Sequence, residues 1–577
     1  MIWKQIRQRC LCNMFNIKCM IVSGLALAMA GSLQAALTVN NLFGDHMVLP
    51  RDKHVSVWGT AEAGQSVSVT FAGQSLSCKT DKEGNWSVKL APMAANAVPQ
   101  DLTITGGNTL KITDILLGDV WVCSGQSNME FKLASCKAVA DIKAANMPQI
   151  RWTSVPGQEG AQPMTNVPDG MNWHVMSPDN AGGCSAVGFY FARKVNAATQ
   201  VPIGVLCSAQ GGSCIESWLS PEAICNYPQN AELAQRYHAA IDGWRDSLPL
   251  DDLGKWLVQI GKPLADAGIS HPALAKLKQW QTLASAAVAH KNEAPAPPDV
   301  DDLKKWLASQ NVPLPAMPEI PGHPLLRPKW FPGAHLYNGR IAPLTKLPIK
   351  GMLWYQGENG SGKLYYDRFK SMIETDRKQW QDEFPVYFVQ LPNMEEDKNV
   401  PQGDVVEGWP TTRMQQLKCL QISRTGMAVT IDVGDPKNLH PTNKCDMGER
   451  LALWALAKDY HKKIAFSGPL YQSMRIANGK IILSFDHVGS GLMVGRKDPF
   501  KPAVEDMGGK LKRFAIAGED KKWVWADAVI VGVTVRLSSP EVPRPVAARY
   551  AYSVNPAGCN LYNQDGLPAS PFRTDNW

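Results

Sequence analysis

The sequence predicts an α/β core with a largely parallel sheet, flanked by two all-β modules and interrupted by a helical insertion. Three patterns lead there. Short continuous apolar runs ("DVWVC", "PIGVLCSA", "IKGMLWYQ", "PVYFVQL", "GMAVTIDV") alternate with amphipathic stretches such as "SAVGFYFARKVNAAT" and "NKCDMGERLALWALAKDY". Runs of that kind suit strands covered on both faces, and the helices between them supply the cover. Both ends of the chain instead carry β-branched runs of period two, the mark of strands with one wet face. At 577 residues the chain exceeds what one hydrophobic core usually supports.

Residues 1–35 read as an export signal. Lys4, Arg7, Arg9 and Lys18 precede an apolar stretch over 20–30, with small residues for cleavage at Ala28-Met29-Ala30 or after Ala35. The stretch is too short and too rich in Gly, Ala and Ser for a membrane span, so no stable membrane insertion is expected after cleavage. A periplasmic or secreted location follows. The leader holds four basic residues and no acids, so its loss takes the formal charge from +7 to about +3. That removes the charge argument for a nucleic-acid partner.

Residues 36–115 ("VSVWGT", "SVSVTFAG", "NWSVKLAP") predict a small β-sandwich-like module, and 466–577 ("KIILSFDHV", "AVIVGVTVRLS") a second β-rich one. The core divides into 116–229 and 334–465. Between them, 230–333 is helical and Pro-rich, with a weak repeat: "DDLGKWLVQIGKPL" (251–264) matches "DDLKKWLASQNVPL" (301–314). The leading Asp reads as an N-cap and the Pro as a helix stop. Two copies are too few for a solenoid, and the insertion is expected to pack its own Trp residues, with a lid or partner surface next to the site as the alternative. Of thirteen Cys, ten lie beyond the leader without a CxxC pair, so no metal site is expected. Export permits disulfides, with Cys207–Cys214 and Cys419–Cys445 as candidate pairs.

Four segments at strand ends carry the chemistry: "SGQSNM" (124–129), "SAQGGSCIESW" (208–218), "WYQGENG" (354–360) and "GDPKNLHPTNK" (434–444). In parallel sheets ligands sit at the carboxyl ends of strands. Together the segments supply a hydroxyl, amide donors beside glycine, side-chain amides and a histidine near acids, the inventory of acyl transfer. Ser127 is the nucleophile candidate, with Gly125 allowing a tight bend before it. A serine hydroxyl needs a base. Of eleven His, only His440 follows an apolar strand by a short loop, which Pro436 and Pro441 stiffen. A lone Ser or His is usually structural, and the joint appearance of four such segments reverses that weighting. Two rival motifs fail. G-x-S-x-G would need glycine at Met129, and the P-loop-like "GENGSGK" is followed by Leu364 where a hydroxyl is required.

The order Gly-Gln-Ser-Asn-Met, Gly-Gly-Ser-x-x-Glu-Ser-Trp, Trp-Tyr-Gln-Gly-Glu-Asn and Gly-Asp-Pro-x-x-x-His-Pro resembles the sialate O-acetylesterase family, SGNH-type carbohydrate esterases. The flanks "LYNGRIAPLTKLPIKGMLWYQGE" and "RTGMAVTIDVGDP" agree, and the similarity runs from about residue 37 to the C-terminus. The resemblance implies an SGNH-hydrolase-like three-layer core and a cofactor-free serine esterase acting on acetylated carbohydrate, with O-acetylated sialic acid foremost. Acetyl-xylan or another polysaccharide is the alternative substrate, and a weakened carbohydrate-binding relative the alternative class. It implies Ser127 as nucleophile, His440 as base, and an oxyanion hole from the Ser127 amide, Gly211 or Gly212, and Gln356 or Asn359. Gln126, Asn128, Glu358 and Trp218 are candidate pocket residues. One departure stands out: Lys437 occupies the position three before the His, where SGNH enzymes usually place Asp, and Asn438 the position two before. Asp435 is therefore the expected orienting acid, with Asp432 and a Ser–His dyad as alternatives. Glu449 and Arg450 are expected to pair on the following helix.

Overall fold

One 18-residue strand ties the N-terminal module to the core. In the computed structural model, which describes residues 36–577 apart from 311, 327–332, 361 and 402–407, the strand Asn108–Gly125 runs through the boundary expected near 115. The expected leader lies outside the described residues. The strands before it are β1 (Val48–Pro50), β2 (Val55–Thr60), β3 (Ser66–Phe71), β4 (Gln74–Lys79), β5 (Asn85–Leu90) and β6 (Asn96–Gly106), which makes the long strand β7. Its first half is antiparallel to β6, and Leu116–Gly118 pairs in parallel with β1. It gains one parallel neighbour at Asp119 and lies between two from Trp121 onward. Burial follows the change of neighbours: partly exposed positions occur up to Asp114, and every residue from Ile115 to Gly125 is buried. Strand β5 shows the one-sided alternation expected of the module, with Trp86, Val88 and Leu90 inward.

The core adds β8 (Met147–Ser154), β9 (His174–Met176), β10 (Ile203–Ala209), β11 (Gly351–Tyr355), β12 (Val386–Val389) and β13 (Thr425–Ala428), in the order β13-β12-β11-β7-β10-β8-β9. All pairs are parallel except β8–β9. Successive side chains point to opposite faces. Trp121, Cys123, Leu353 and Tyr387 join an apolar cluster with helices Ala186–Thr199 and Lys444–Lys458. Trp354 and Phe388, one residue on, meet Phe369 of helix Tyr365–Trp380 at ring distances of 6.0 and 5.2 Å. Both faces are therefore covered, which is why the strands read as unbroken apolar runs. Among the described residues no helix is long and apolar enough to cross a membrane.

Three antiparallel sheets follow the core among the described residues, a small one of Val504–Glu505, Leu492–Arg496 and Leu561–Asn563 and two of four strands. Of the larger two, one joins Leu470–Ala477, Lys480–Asp486, Thr534–Ser538 and Asp527–Val531; the other joins Trp523–Trp525, Phe514–Ala517, Ala547–Tyr550 and Phe572–Arg573. They share a cluster that includes Ile481, Leu483, Ile516, Leu537, Tyr550 and Phe572. Buried Arg413 donates to the carbonyls of Leu391 and Pro392 after β12 and of Ser553 and Val554 in the C-terminal module. The ten cysteines from Cys78 to Cys559 are free thiols, so neither Cys207–Cys214 nor Cys419–Cys445 is bridged. Cys207 and Cys419 are instead core side chains, packed as small apolar groups.

Residues 36–157, Asn166–Ile215 and Leu344–Trp577 belong to one compact unit, and the described residues of Gln158–Thr165 and Glu216–Pro343 to a second, wider than the expected 230–333. In the second unit, helices Ala231–Asp246, Leu250–Asp266, Pro272–Ala289 and Asp301–Ser309 contribute to a cluster built on Trp244, Trp256 and Trp280. Each indole N–H donates to a carbonyl of the Pro-rich connections: Trp244 to Pro321 (3.0 Å), Trp256 to Pro315 (2.9 Å) and Trp280 to Pro295 (2.7 Å). A buried Trp removes ~150–250 Å² from water, an upper bound of about 4–6 kcal/mol, and the bonded N–H avoids the offsetting polar cost. The repeat places Leu253 and Leu303 in the same fully buried role. The leading Asp residues are not N-caps and the first Pro is not a stop: the Asp pairs lie in the first helical turns, after Pro249 and Val300, and Pro263 sits inside its helix.

Candidate active site

Three strands end in register. Gly125 of β7 aligns with Ala209 of β10 and Tyr355 of β11, so the loops that follow emerge side by side at the carboxyl edge. Gly125 has φ +130°, and a Cβ there would lie 2.2 Å from the Tyr355 carbonyl oxygen. Only glycine suits both the dihedral and the contact. Gln126 then donates its backbone N–H to Tyr355 (3.0 Å), while its side-chain oxygen accepts from the N–H groups of Gly357 (3.5 Å) and Asn359 (3.4 Å). Ser127 opens the short helix Ser127–Glu130.

His440 comes from the loop between β13 and helix Lys444–Lys458, and its Nε2 lies 2.8 Å from Ser127 Oγ. That is within proton-transfer reach. Phe131 stacks on the imidazole, with centroids 5.7 Å apart and planes 9° from parallel. The Asn438 side chain accepts from the His440 N–H (2.9 Å), and the Asn128 amide donates to the Leu439 carbonyl (3.0 Å). Burial, and then the charge of Lys444, lower the His440 pKa from the ordinary 6.5. The imidazole is thus kept in its basic form.

The expected acid is not at the imidazole. The Asp435 carboxylate accepts from the Lys437 N–H at 2.9 Å, a local turn two residues on that captures it. Asp432 is held in a fork by Arg450 (2.6 and 2.8 Å) and accepts from the Tyr562 hydroxyl (3.0 Å). Arg450 therefore pairs with Asp432 and not with Glu449, whose carboxylate meets Arg193 and Lys194. Among the described residues no carboxylate forms an ion pair with His440.

The hydrogen-bond donors sort themselves by what they already hold. Gly211 lies beside Ser127, but its N–H donates to Glu130 Oε2 at 2.9 Å. The Gln356 amide, fully buried, donates to the Ser213 carbonyl (3.3 Å) and to the Asn359 carbonyl. Of the expected oxyanion donors, Gly211 and Gln356 are thus committed to shaping the loops. The N–H groups of Ser127 and Gly212 have no acceptor among the described residues. Asn359 uses one side-chain N–H on the Gly212 carbonyl (2.7 Å), which leaves the other. The expected pocket residues also turn inward: Gln126, Asn128 and Trp218 are 2%, 0% and 1% exposed, and Trp218 with Glu216 falls in the second unit. Among the described residues no group of three or more His, Cys, Asp or Glu is arranged to hold a metal.

Sequence reasoning missed Lys444. Its ammonium is fully buried and donates to Asn128 Oδ1, and the Asn128 amide donates in turn to Glu358. Burial lowers the Lys444 pKa to about 7 against the opposing pull of Glu358, and burial raises that of Glu358. In the sequence, a lysine at a helix start reads as a solvated charge, and nothing local marks it otherwise.

Comparison with known proteins follows the same lines. A carbohydrate esterase family model described as sialic acid-specific acetylesterase matches residues 320–457, which carry the second half of the core and His440. The chain is 26% identical over 590 residues to the sialate O-acetylesterase of Rattus norvegicus, covering 92% of each. It is 26% identical over 577 residues to that of Homo sapiens, covering 91% of this chain and 90% of the relative. The crystal structure of a carbohydrate acetylesterase from Xanthomonas citri matches with a TM-score of 0.69 at 31% identity, covering 94% of this chain and 100% of that chain. Likeness in sequence and fold over nearly the whole chain leaves one family: the chain belongs to the sialate O-acetylesterase family of carbohydrate esterases, and it is a carboxylic ester hydrolase.

Proposed function

We propose that this protein is an exported serine esterase that removes O-acetyl groups from carbohydrate, with O-acetylated sialic acid as first substrate, through an acetyl-enzyme on Ser127. The observation that carries the mechanism is the 2.8 Å approach of His440 Nε2 to Ser127 Oγ at the mouth of three aligned strand ends. His440 takes the hydroxyl proton as Ser127 attacks the acetyl carbonyl, then returns it to the sugar oxygen as the C–O bond breaks. Water, deprotonated by His440, releases acetate and restores the serine. The free N–H groups of Ser127, Gly212 and the Asn359 side chain are the donors for the oxyanion, where each is worth about 10²–10³ in turnover. The core is then an SGNH-type three-layer arrangement, working as a Ser–His dyad and needing no cofactor.

The sialate reading is supported by the names of the mammalian relatives, and the Xanthomonas citri enzyme favours a broader carbohydrate range as the second reading. Export rests on the leader composition. The test is acetate release from 9-O-acetylated sialic acid, acetyl-xylan and acetylated hexosamine by wild type and Ser127→Ala. Loss of all turnover with Ser127→Ala is expected; a Ser127→Ala protein that still releases acetate would remove the nucleophile assignment.

A further inference from the structure

A lysine in the first position of helix Lys444–Lys458 is placed against physical preference. The helix N-terminus already carries partial positive charge, and the ammonium is fully buried. Such a charge persists in a fold when something around it requires it. Around Lys444 Nζ stand the Asn128 side-chain oxygen and the faces of two aromatic rings, Phe131 at 5.0 Å and Tyr355 at 5.2 Å. Glu358 is the acid whose charge acts on it, and the Cys136 thiol is kept neutral by burial, which raises its pKa to about 11. Asn128 joins the cluster to the catalytic loop: one end takes the ammonium, and the other donates to Glu358 and to the carbonyl of Leu439, the neighbour of His440. Phe131 does the same by contact, with Lys444 on its ring and His440 stacked against it.

The geometry points to Lys444 and Glu358, bridged by Asn128, as positioning residues that hold the His440 loop and tune the imidazole's basicity in place of an orienting carboxylate. The inference rests on the Ser127–His440 reading above. The other charged side chains on the His440 loop are Asp432, held by Arg450, with Asp435 and Lys437, and the serine helix carries Glu130. Asp435 is occupied by the Lys437 N–H, and Glu130 by the Gly211 N–H. The physical effect is direct. A cation near the imidazole opposes its protonation, so the base stays free as the medium becomes acidic, while Glu358 keeps the cluster close to neutral.

The experiment is the pH profile of kcat/KM with p-nitrophenyl acetate for the full chain, wild type against Lys444→Met and the double variant Lys444→Met/Glu358→Gln. The double variant leaves no lone buried carboxylate, which guards against misfolding. The quantity of working sites is set by fluorophosphonate labelling, and the His440 titration is read independently from ¹³C-labelled imidazole signals, assigned with His440→Gln. The expected result is an acid limb and a His440 titration displaced to higher pH in both variants. At a pH on that limb this means about a threefold or greater loss relative to the plateau, the fold-change of a half-unit shift. A double variant that labels fully and keeps the wild-type limb and imidazole titration would overturn the role of Lys444 and Glu358. Ser127→Ala is the separate control: turnover surviving it would refute the nucleophile assignment itself.

Discussion

Replacing Asp435 by Asn distinguishes a dyad from a triad. In an enzyme built around an orienting aspartate, loss of that carboxylate costs about 10⁴ in turnover, or about 5.4 kcal/mol. Here the Asp435 carboxylate accepts only from the Lys437 N–H among the described residues, at 2.9 Å. Asn keeps that acceptor oxygen, so the change weakens one loop hydrogen bond by about 1 kcal/mol at most. Transmitted in full to the position of His440, that is about fivefold in kcat/KM. The assay is p-nitrophenyl acetate hydrolysis above the acid limb, normalised to serine labelled by a fluorophosphonate. Turnover within about fivefold of wild type is expected. A fall of 100-fold or more with labelling intact would mean that the carboxylate reaches the imidazole in the working enzyme, and the dyad argument would be refuted.

Asp432→Asn should behave in the opposite way. It strips the buried Arg450 of its fork partner, so a loss of about 3–5 kcal/mol in chemical denaturation is expected, and unchanged stability would contradict the role assigned to the pair. Gly125→Ala forces a Cβ to 2.2 Å from the Tyr355 carbonyl oxygen at φ +130°. The strain alone is worth about 1–3 kcal/mol, and both the melting temperature and turnover should fall; a wild-type melting temperature would refute the strand-end geometry. Asp446 tests acid stability. Burial works against its charge, but Arg450 and Lys497 outweigh burial and hold its pKa below 3.8. A depressed folded pKa contributes stability that is whole above 3.8 and lost as pH falls through the lower folded value. Asp446→Asn should therefore be less stable than wild type at pH 6, with the gap in urea unfolding free energy narrowing below pH 4. A gap that stays constant with pH would show that the carboxylate's charge is not what stabilises.

Much of this protein is written in short-range patterns. The unbroken apolar runs identify strands covered on both faces because burial on both sides leaves no position for a polar residue, and β10, β11 and β12 are buried throughout. The clusters of glycine, amide and hydroxyl at 124–129, 208–218 and 354–360 mark strand ends because such residues have no place inside those strands. Ser127 and His440 could be singled out for the same reason. What the residues could not reveal is how donors and acceptors are shared among loops hundreds of positions apart. Gly211 and Gly212 are indistinguishable in sequence, and only the fold brings Glu130 to one and leaves the other open. Asp435 looks like a catalytic acid until a turn occupies it. Lys444 looks solvated until the folded chain encloses it with Asn128 and Glu358. Local composition determined where the candidate site sits; competition for hydrogen bonds and burial of charge, which exist only once distant segments meet, decided which of its donors and acceptors are left free.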